Sequence, residues 1–306
     1  MSARPPRTYW HLAELGRMPS DYDVGTSRLL YYPERGFAVA TPVAAAHARH
    51  VGGSALRFGP LVDERFRDPR ATTYASYTEL QKAREIFVDG LLATLDDGAY
   101  DRRLSRAWLD TLARVLAPLR YPVHALQMVF GYVGSMVPAG RVVVACALSA
   151  ADEMRRVQRL AYRLRQLQHT HAGLGDDARA RWTGDPMWQP WRRLCEELLV
   201  TYDLGEALAA LCYVVKPAFD ELFGTRFARL AGAAGDEVLA KLLGSLAEDA
   251  AWHRDWAEAL ARTLCEADPA HGAANAAALA ATRARWAPRA HDAVAAFAPL
   301  FDEVRA

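Results

Sequence analysis

A long amphipathic stretch from about Ser149 to His171 constrains the fold more than any other part of the chain. Its apolar side chains recur at intervals of three and four residues: Ala150, Met154, Val157, Leu160, Ala161, Leu164 and Leu167. This spacing is the period of an α-helix that buries one face. The helix that contains this stretch could reach about 50 Å at 1.5 Å per residue. A buried face of that length predicts a bundle of long helices.

The chain from Thr72 onward has the same helical character. Further helices are predicted near Thr72–Leu95, Leu104–Leu116, Val123–Met136, Trp191–Val200, from Asp203 through a kink at Pro217, Gly235–Cys265, and Asn275–Val304 with a break near Pro288. Pro138 should end the third of these, and Gly131 and Gly134 should let two helices approach closely. The sequence lacks the sustained alternation of apolar and polar residues that is typical of β-strands, and it lacks a repeat of fixed period. The predicted fold class is therefore all-α, with long antiparallel helices around a four-helix core.

Three regions are predicted: an irregular N-terminal arm at 1–70, a helical core at 71–266 and C-terminal helices at 267–306. The arm is rich in proline, which breaks helices, and in aromatic residues, which a solvated tail would not carry. Such a segment packs its rings on another surface, and we expect that of a partner subunit. The predicted partner contacts are Tyr9, Trp10, Leu12, Leu15, Tyr31, Tyr32, Val133 and Met136.

Composition excludes several classes of function. The chain has 37 Lys and Arg against 36 Asp and Glu, so its charge offers little attraction to nucleic acid or an anionic membrane. No apolar run is long enough to span a membrane, and the first residues lack the apolar segment of a signal peptide. We therefore expect a cytoplasmic protein. The four cysteines are far apart and are predicted to be buried, reduced thiols.

Glu153 lies at the edge of the apolar stripe, where a helical bundle could use it as a metal ligand. Di-iron bundles of the ferritin-like type need a Glu-x-x-His motif on each of two helices. Here Arg156 stands where the histidine would be. Of the nine histidines only His271 follows an acid by three residues, and that acid, Asp268, begins a turn with Pro269. The sequence has no Glu-x-x-His and argues against a conventional di-iron site.

One carboxylate nevertheless falls on each of four predicted helices: Glu85, Glu153, Glu206 and Asp249. Arg156 and Trp252 follow two of them by three residues, at the places that histidine ligands would take. Arginine cannot ligate a cation, but it can replace a cation's charge. Arg156 could thus be buried with Glu153 and Glu206 at a vestigial metal site, or form an ordinary i,i+3 surface pair. An all-oxygen metal site built from the four carboxylates is an alternative.

Several segments form a recognisable set: residues 126–138 (LQMVFGYVGSMVP), 150–163 (AADEMRRVQRLAYR), 11–17 (HLAELGR), 26–32 (TSRLLYY), 68–69 with 73–77, 199–207 (LVTYDLGEA) and 215–217 (VKP). Together they resemble the β subunit of bacterial multicomponent monooxygenase hydroxylases, of the toluene, aromatic or alkene type. The resemblance extends from about residue 8 to 260 and is weakest in the alanine-rich C-terminal part.

The resemblance implies a ferritin-like long-helix bundle that lacks the iron ligands of its relatives. It implies a non-catalytic subunit without a cofactor of its own, paired with an α subunit that holds a di-iron centre. A small γ subunit and a second αβγ protomer would complete the hydroxylase, which oxidises a hydrocarbon with O2. An effector protein, a reductase that delivers NADH-derived electrons and, in some systems, a Rieske ferredoxin would act on the complex. A free helical ligand-binding protein is a further alternative.

Overall fold

The computed structural model describes residues 7–27, 41–95, 98–267 and 269–302, and every regular element in these ranges is helical. The α-helices are α1 Asp21–Thr26, α2 Thr41–His47, α3 Pro60–Arg65, α4 Tyr74–Ala93, α5 Arg106–Arg114, α6 Arg120–Met136, α7 Gly140–Thr170, α8 Ala178–Gly184, α9 Gln189–Leu199, α10 Leu204–Ala210, α11 Lys216–Phe219, α12 Phe227–Ala233, α13 Glu237–Glu266, α14 Gly272–Ala295 and α15 Ala298–Asp302. The 3-10 helices are Arg7–Leu15 and Asp101–Arg103, and the π-helical segments are Ala48–Gly52, Leu211–Val215 and Asp220–Arg226.

The two longest helices, α7 with 31 residues and α13 with 30, run through the centre of the molecule. As predicted, Pro138 separates α6 from α7, and the two helices then pack closely along their length. Gly134 makes this approach possible, since a Cβ atom there would lie 3.0 Å from Cys146 Cβ. The same expectation is wrong for Gly131, which is exposed and has open space beside it.

Capping residues set the starts of two core helices. The side chain of Asp203 accepts a hydrogen bond from the backbone N–H of Glu206 at the start of α10, as the sequence predicts. Asp236 does the same for Leu239 at the start of α13. The helix that starts at Asp203 runs on to Ala233, and π-helical segments lie on both sides of α11, which contains Pro217. The predicted kink region is thus a widened part of one helix.

The predicted break at Pro288 is wrong, because α14 runs through this proline and ends at Ala295. Trp286 and Ala290 lie on either side of the proline and are both buried. Their packing holds the helix together at a residue that removes one backbone hydrogen bond. The chain bends instead at Ala296 and Phe297, before α15.

The described part of the N-terminal arm consists of short helical turns joined by irregular segments. Much of it packs on the chain's own core, since Leu12, Tyr22 and Phe66 are buried. Tyr22 Oη also accepts a hydrogen bond from the backbone N–H of Asp68. Trp10, in contrast, is 76% exposed. The arm therefore both covers its own chain and presents an indole outward.

Helix α4 buries a different face from the one its apolar spacing suggests. The buried residues are Gln81, Val88 and Leu92, whereas Leu80 and Phe87 are exposed. The inward face is partly polar because it contributes to a buried network of charges.

None of the helices in the described ranges is long and apolar enough to cross a membrane. Cys146, Cys195 and Cys212 are buried free thiols, as predicted, and Cys265 is half-buried.

Candidate functional site: a buried charge cluster

Charged side chains from α4, α7, α13 and the segment around α11 meet inside the bundle. The carboxylates are Glu85, Asp152, Glu153, Asp220 and Asp249, and the cations are Arg84, Arg155, Arg156, Arg159 and Lys216. We call this set, together with the imidazole of His253, the charge cluster. The set has five carboxylates and five cations, and at its outer edge Arg84 and Arg159 also pair with the exposed Glu248 and Asp89.

Glu153 lies at the innermost point of the cluster, and its side chain is fully buried. Lys216 Nζ is 3.1 Å from Oε1, and Arg156 Nη1 is 3.7 Å from Oε2. The Arg156 contact is too long for a hydrogen bond, and both Glu153 oxygens lack a hydrogen-bond partner among the described residues. The carboxylate is therefore compensated mainly by the charges beside it. Because the pair is buried, the alternative of an ordinary surface pair is wrong.

Asp220 joins the two cations to one another. Its Oδ1 accepts hydrogen bonds from Lys216 Nζ at 2.5 Å and from Arg156 Nη1 at 3.1 Å. Burial opposes ionisation of this carboxyl, but Lys216 and Arg156 lower its pKa below the usual value. The expected contact between Arg156 and Glu206 is wrong, since Arg156 pairs with Asp220 instead.

His253 connects the two carboxylates of α7. Its Nε2 lies 2.9 Å from Asp152 Oδ2, and its Nδ1 lies 3.8 Å from Glu153 Oε1. Burial, followed by the positive charge of Lys216, lowers the pKa of His253 to about 3. The imidazole is therefore neutral near pH 7, and a proton on Nε2 lets it donate to Asp152. Nδ1 remains as a buried acceptor without a partner in the described chain.

Asp152 and Asp249 bind the polar face of α4. Tyr77 Oη and Gln81 Nε2 each donate to Asp152 Oδ1 at 2.7 Å. Burial raises the pKa of Asp152 to about 6, although the hydrogen bond from Tyr77 opposes this rise. Asp249 accepts from Gln81 Nε2 at 2.9 Å and from Arg155 Nη1 at 2.8 Å. These bonds explain why a partly polar face of α4 is buried.

Arg84 and Glu85 extend the cluster from α4 towards the surface. Arg84 pairs with Asp249, and Glu85 pairs with both Arg155 and Arg159 of α7. The side chain of Glu85 is 32% exposed, so this carboxylate forms the outer edge of the cluster. It is held by two guanidinium groups, which leaves it unsuited to ligate a metal ion.

Glu206 and Trp252 lie outside the centre of the cluster. Glu206 Oε1 accepts hydrogen bonds from Arg285 and Trp286 of α14, each at 2.9 Å. Trp252 Nε1 donates to Asp68 Oδ2 at 3.0 Å. The side chain of α13 that lies beside Glu153 is His253, one residue after Trp252. The four predicted carboxylates therefore do not converge on one point.

These residues do not fit a di-iron centre. Within the described parts of the chain, no group of three or more His, Cys, Asp and Glu side chains is placed to hold a metal ion. The cations Arg156 and Lys216 face Glu153 and Asp220, where they would repel a metal ion. The charge cluster instead ties four helical segments together through ion pairs.

A spacing of three residues between acid and base does not reveal most of the cluster. Asp249 and His253 are four residues apart, and so are Lys216 and Asp220. Side chains at this spacing also share a helix face. An acid and a base four residues apart in an otherwise apolar helix would have indicated these buried groups. Asp152 and Arg156 also have this spacing, whereas Arg155 does not, and the partners of Arg155 lie on other helices.

The structure also locates the predicted partner contacts. Leu12 and Val133 are wrong as contacts, because both side chains are buried in this chain's own core. Tyr9, Leu15 and Met136 are half-buried. Tyr31 and Tyr32 lie outside the described residues. On the same helix as Val133, Met128 is an exposed apolar side chain, and Tyr132 of that helix contacts the exposed Tyr202.

Comparison with known proteins places the chain in a family. Residues 64–268 match the family described as methane/phenol/alkene hydroxylase. The chain is 34% identical over 273 residues to the hydroxylase component subunit beta of the toluene-4-monooxygenase system of Ectopseudomonas mendocina, covering 87% of this chain and 83% of that protein. The propane 2-monooxygenase hydroxylase component small subunit of Mycolicibacterium goodii is 31% identical over 197 residues, which is 63% of this chain and 53% of that protein.

Solved structures agree with these matches. A chain from the structure of toluene 4-monooxygenase with toluene bound in its resting active site has a TM-score of 0.89 and 31% identity, with 99% of both chains covered. A chain of xenon-pressurised phenol hydroxylase from Pseudomonas sp. OX1 has a TM-score of 0.86 over 100% of this chain and 94% of that one; its 20% identity supports the fold alone. The predicted all-α fold is confirmed. The chain belongs to the methane/phenol/alkene hydroxylase family and, within it, to the hydroxylase β subunits.

Proposed function

We propose that this chain is the non-catalytic structural subunit of a multicomponent monooxygenase hydroxylase. Its partner would be a catalytic α subunit that holds the di-iron centre and oxidises a hydrocarbon with O2. A γ subunit and a second αβγ protomer would complete the cytoplasmic assembly. An effector protein and a reductase, with or without a Rieske ferredoxin, would supply regulation and electrons.

The charge cluster is the observation that carries this proposal. At the centre of the bundle, where a di-iron relative would place metal ligands, Glu153 meets Lys216 and Arg156. The positive charge that a metal centre would supply comes from the protein itself. Such a core stabilises the fold without redox chemistry, which suits a subunit whose role is to support a catalytic partner.

The alternative of a self-sufficient metalloenzyme loses its geometric basis. It requires Glu85, Glu153, Glu206 and Asp249 to act together. Glu206 is instead bound by Arg285 and Trp286, and Glu85 and Asp249 share Arg155. Each of these four carboxylates therefore already has a cationic neighbour within the chain.

The surface of α4 supports the partner part of the proposal. An exposed stripe of apolar and small residues follows this helix at three- and four-residue intervals: Leu80, Ala83, Ile86, Phe87 and Gly90. We call this stripe the α4 surface. Phe87 is 51% exposed and Ile86 64%, which is costly for a surface that remains in water. The small residues would let a helix of the α subunit approach closely.

The N-terminal arm at 1–70 is the second proposed contact with the α subunit. Trp10 is its most exposed aromatic residue among the described positions, and the exposed Met18 and Val24 follow it. Large apolar side chains of this kind are typical anchors in protein interfaces. Buried residues such as Leu12 and Tyr22 hold the arm on its own chain.

Co-expression with the neighbouring gene products tests the proposed function. The purified material should contain this chain together with a larger iron-containing subunit, and native mass spectrometry should give equal numbers of the two. Removing residues 1–40 should release the partner while the helical core stays folded by circular dichroism. A lone, folded monomer from the full co-expression set would contradict the proposal.

A further inference from the structure

A row of aromatic side chains leads from the interior of the bundle to its surface. Trp191 and Trp188, at the start of α9, are fully buried, whereas Trp182 of α8 and Tyr121 of α6 are half-buried. The ring centroids of Trp188 and Trp182 are 5.7 Å apart, and those of Trp182 and Tyr121 are also 5.7 Å apart. The last two rings are stacked, with an angle of 16° between their planes. These side chains therefore form a continuous path of ring contacts towards solvent.

Phe223 connects Trp191 to the same path. The centroid of its ring lies 5.5 Å from that of Trp188 and 5.5 Å from that of Trp191. The two tryptophans are also three residues apart at the start of one helix, a spacing at which side chains are neighbours. At its inner end, Trp191 contacts Phe219, and the guanidinium carbon of Arg156 lies 5.6 Å from the centroid of the Phe219 ring. We call the following side chains the aromatic row: Trp191, Phe223, Trp188, Trp182 and Tyr121.

Close packing alone does not account for the residue type at the inner end of the aromatic row. Trp191 Nε1 is buried and has no hydrogen-bond partner among the described residues. Buried indole N–H groups usually find an acceptor, because an unpaired donor in the interior lowers stability. Phe219 and Phe223, which contact Trp191, fill this part of the core without any polar side-chain group. The indole of Trp191 therefore points to a property that phenylalanine lacks, and ease of oxidation is such a property.

The aromatic row contains the residue types that one-electron transfer needs. Tryptophan and tyrosine side chains lose an electron more readily than phenylalanine, and an electron can pass between rings that are in contact. An oxidant that takes one electron from Trp191 or Trp188 leaves an indole radical cation. An electron from Trp182 refills that ring, and an electron from Tyr121 then refills Trp182. Tyr121 releases its phenolic proton to solvent and becomes a neutral tyrosyl radical. The oxidant has then gained one electron, and the chain has lost one electron and one proton.

We propose that the aromatic row is a relay that carries one-electron oxidising equivalents from the interior of this chain to Tyr121. A small thiol in solution would transfer its hydrogen atom to the tyrosyl radical and so restore the phenol, leaving a thiyl radical. The relay would protect buried side chains of a subunit that works beside a partner's O2 chemistry, which is a class of reaction that forms strong one-electron oxidants. This source of the oxidant rests on the proposed function, whereas the aromatic row lies entirely within this chain.

A ruthenium photosensitiser attached beside the inner end of the aromatic row tests the relay in the full-length chain without any partner. Glu221 is an exposed residue of the π-helical segment Asp220–Arg226 and lines the same cavity as Phe223. Glu221→Cys, in a Cys265→Ala background, provides the attachment point, because the other three cysteines are buried. Flash photolysis with an external electron acceptor turns the label into a one-electron oxidant. We expect a tyrosyl radical, detected by electron paramagnetic resonance, that is lost in Tyr121→Phe.

Trp182→Phe tests whether the electron follows the aromatic row. It keeps a ring at the contact but removes the easily oxidised one, so the tyrosyl signal should fall and a tryptophan radical should persist. Tyr162→Phe, at an exposed position of α7 outside the row, should leave the tyrosyl signal unchanged. Circular dichroism must show that each variant is folded.

Because light supplies the oxidant, these outcomes do not depend on whether the chain assembles with an iron-containing subunit. A tyrosyl signal of undiminished size in folded Tyr121→Phe or Trp182→Phe would overturn the relay. The absence of any protein radical from the labelled chain with an intact aromatic row would overturn it too.

Discussion

Lys216 is the residue on which the interior of this protein depends most directly. Its ammonium group is 3% exposed and contacts both Glu153 and Asp220. A buried ammonium is stable only beside carboxylates, and the two carboxylates need it for the same reason. Lysine and arginine thus supply fixed positive charges inside the bundle.

Replacing Lys216 by methionine should destabilise the chain strongly. The substitution keeps the apolar part of the side chain but removes its charge. Among the described residues, Arg156 then remains as the cation that pairs with Glu153 and Asp220. Breaking a buried ion pair on one side costs about 3–5 kcal/mol. Urea denaturation, compared with wild type, measures this loss, and Lys241→Met at an exposed position should change the free energy of unfolding by less than about 0.5 kcal/mol.

The double variant Lys216→Met, Glu153→Gln separates charge from packing. Removing one cation and one carboxylate restores the balance and leaves the Arg156–Asp220 pair intact. Its unfolding free energy should therefore lie well above that of Lys216→Met alone. If the double variant were less stable than the single one, the charge account of the cluster would be wrong.

His253 should make the stability of the chain depend on pH. Its pKa of about 3 in the folded state lies below the usual 6.5, so the stability it contributes is present above pH 6.5 and is lost as the pH falls towards 3. Asp152, with a raised pKa of about 6, acts in the opposite direction, because its contribution is lost as the pH rises from about 4 to 6. The two effects partly cancel.

The variant His253→Gln isolates the histidine. Glutamine keeps a donor for Asp152 but does not titrate, so stability should fall less between pH 6.5 and 4 than in wild type. Thermal midpoints measured across this range provide the test. His124→Gln, at an exposed position of α6, serves as the control and should retain the wild-type slope. Parallel curves for wild type and His253→Gln would exclude a buried neutral imidazole.

At the scale of the helix, α4 has two dissimilar faces. The inward face carries Gln81 and Arg84, which bind acids of α7 and α13. The outward face is the α4 surface, where Leu80 and Phe87 are exposed. This arrangement of polar groups inside and apolar groups outside is the basis of the proposed contact between α4 and a partner subunit.

Phe87→Glu should weaken the assembly without unfolding this chain. A carboxylate on the α4 surface would be desolvated against an apolar partner, and one central anchor commonly accounts for more than 2 kcal/mol of binding, or about thirtyfold in affinity. Size-exclusion chromatography of the co-expressed complex should show dissociation. Lys82→Glu changes charge at another exposed position of α4 and should leave the complex intact. Wild-type assembly with Phe87→Glu would remove α4 from the interface.

The helices that follow apolar periodicity were predictable, and the polar interior was not. The spacing around Leu160 and Leu167, the stop at Pro138 and the N-terminal cap at Asp203 predicted α7 and its neighbours closely. The apolar spacing of α4 does not select Gln81, which is buried because it gains hydrogen-bond partners from α7 and α13. The same reason hid Asp220, whose link to Arg156 depends on two distant segments meeting.

For the whole molecule, the charge cluster lies inside the bundle and ties its helices together. It joins α4, α7 and α13 to the segment around α11 through ion pairs that satisfy one another. Arg163 and Asp101 form a further buried pair at 2.7 Å near the other end of α7. A subunit with this interior can keep one rigid shape while its partner undergoes chemistry.

The iron content of the assembly should therefore not depend on Glu153. In the co-expressed complex, Glu153→Gln should bind as much iron per assembly as wild type, measured by plasma mass spectrometry. Arg156→His, which creates a Glu-x-x-His sequence at residues 153–156, should add no iron, because Lys216 still occupies the space beside Glu153. Circular dichroism and native mass must first show that each variant is folded and assembled. Loss of iron in an intact Glu153→Gln assembly would place metal on this chain and reverse the assignment of the catalytic subunit.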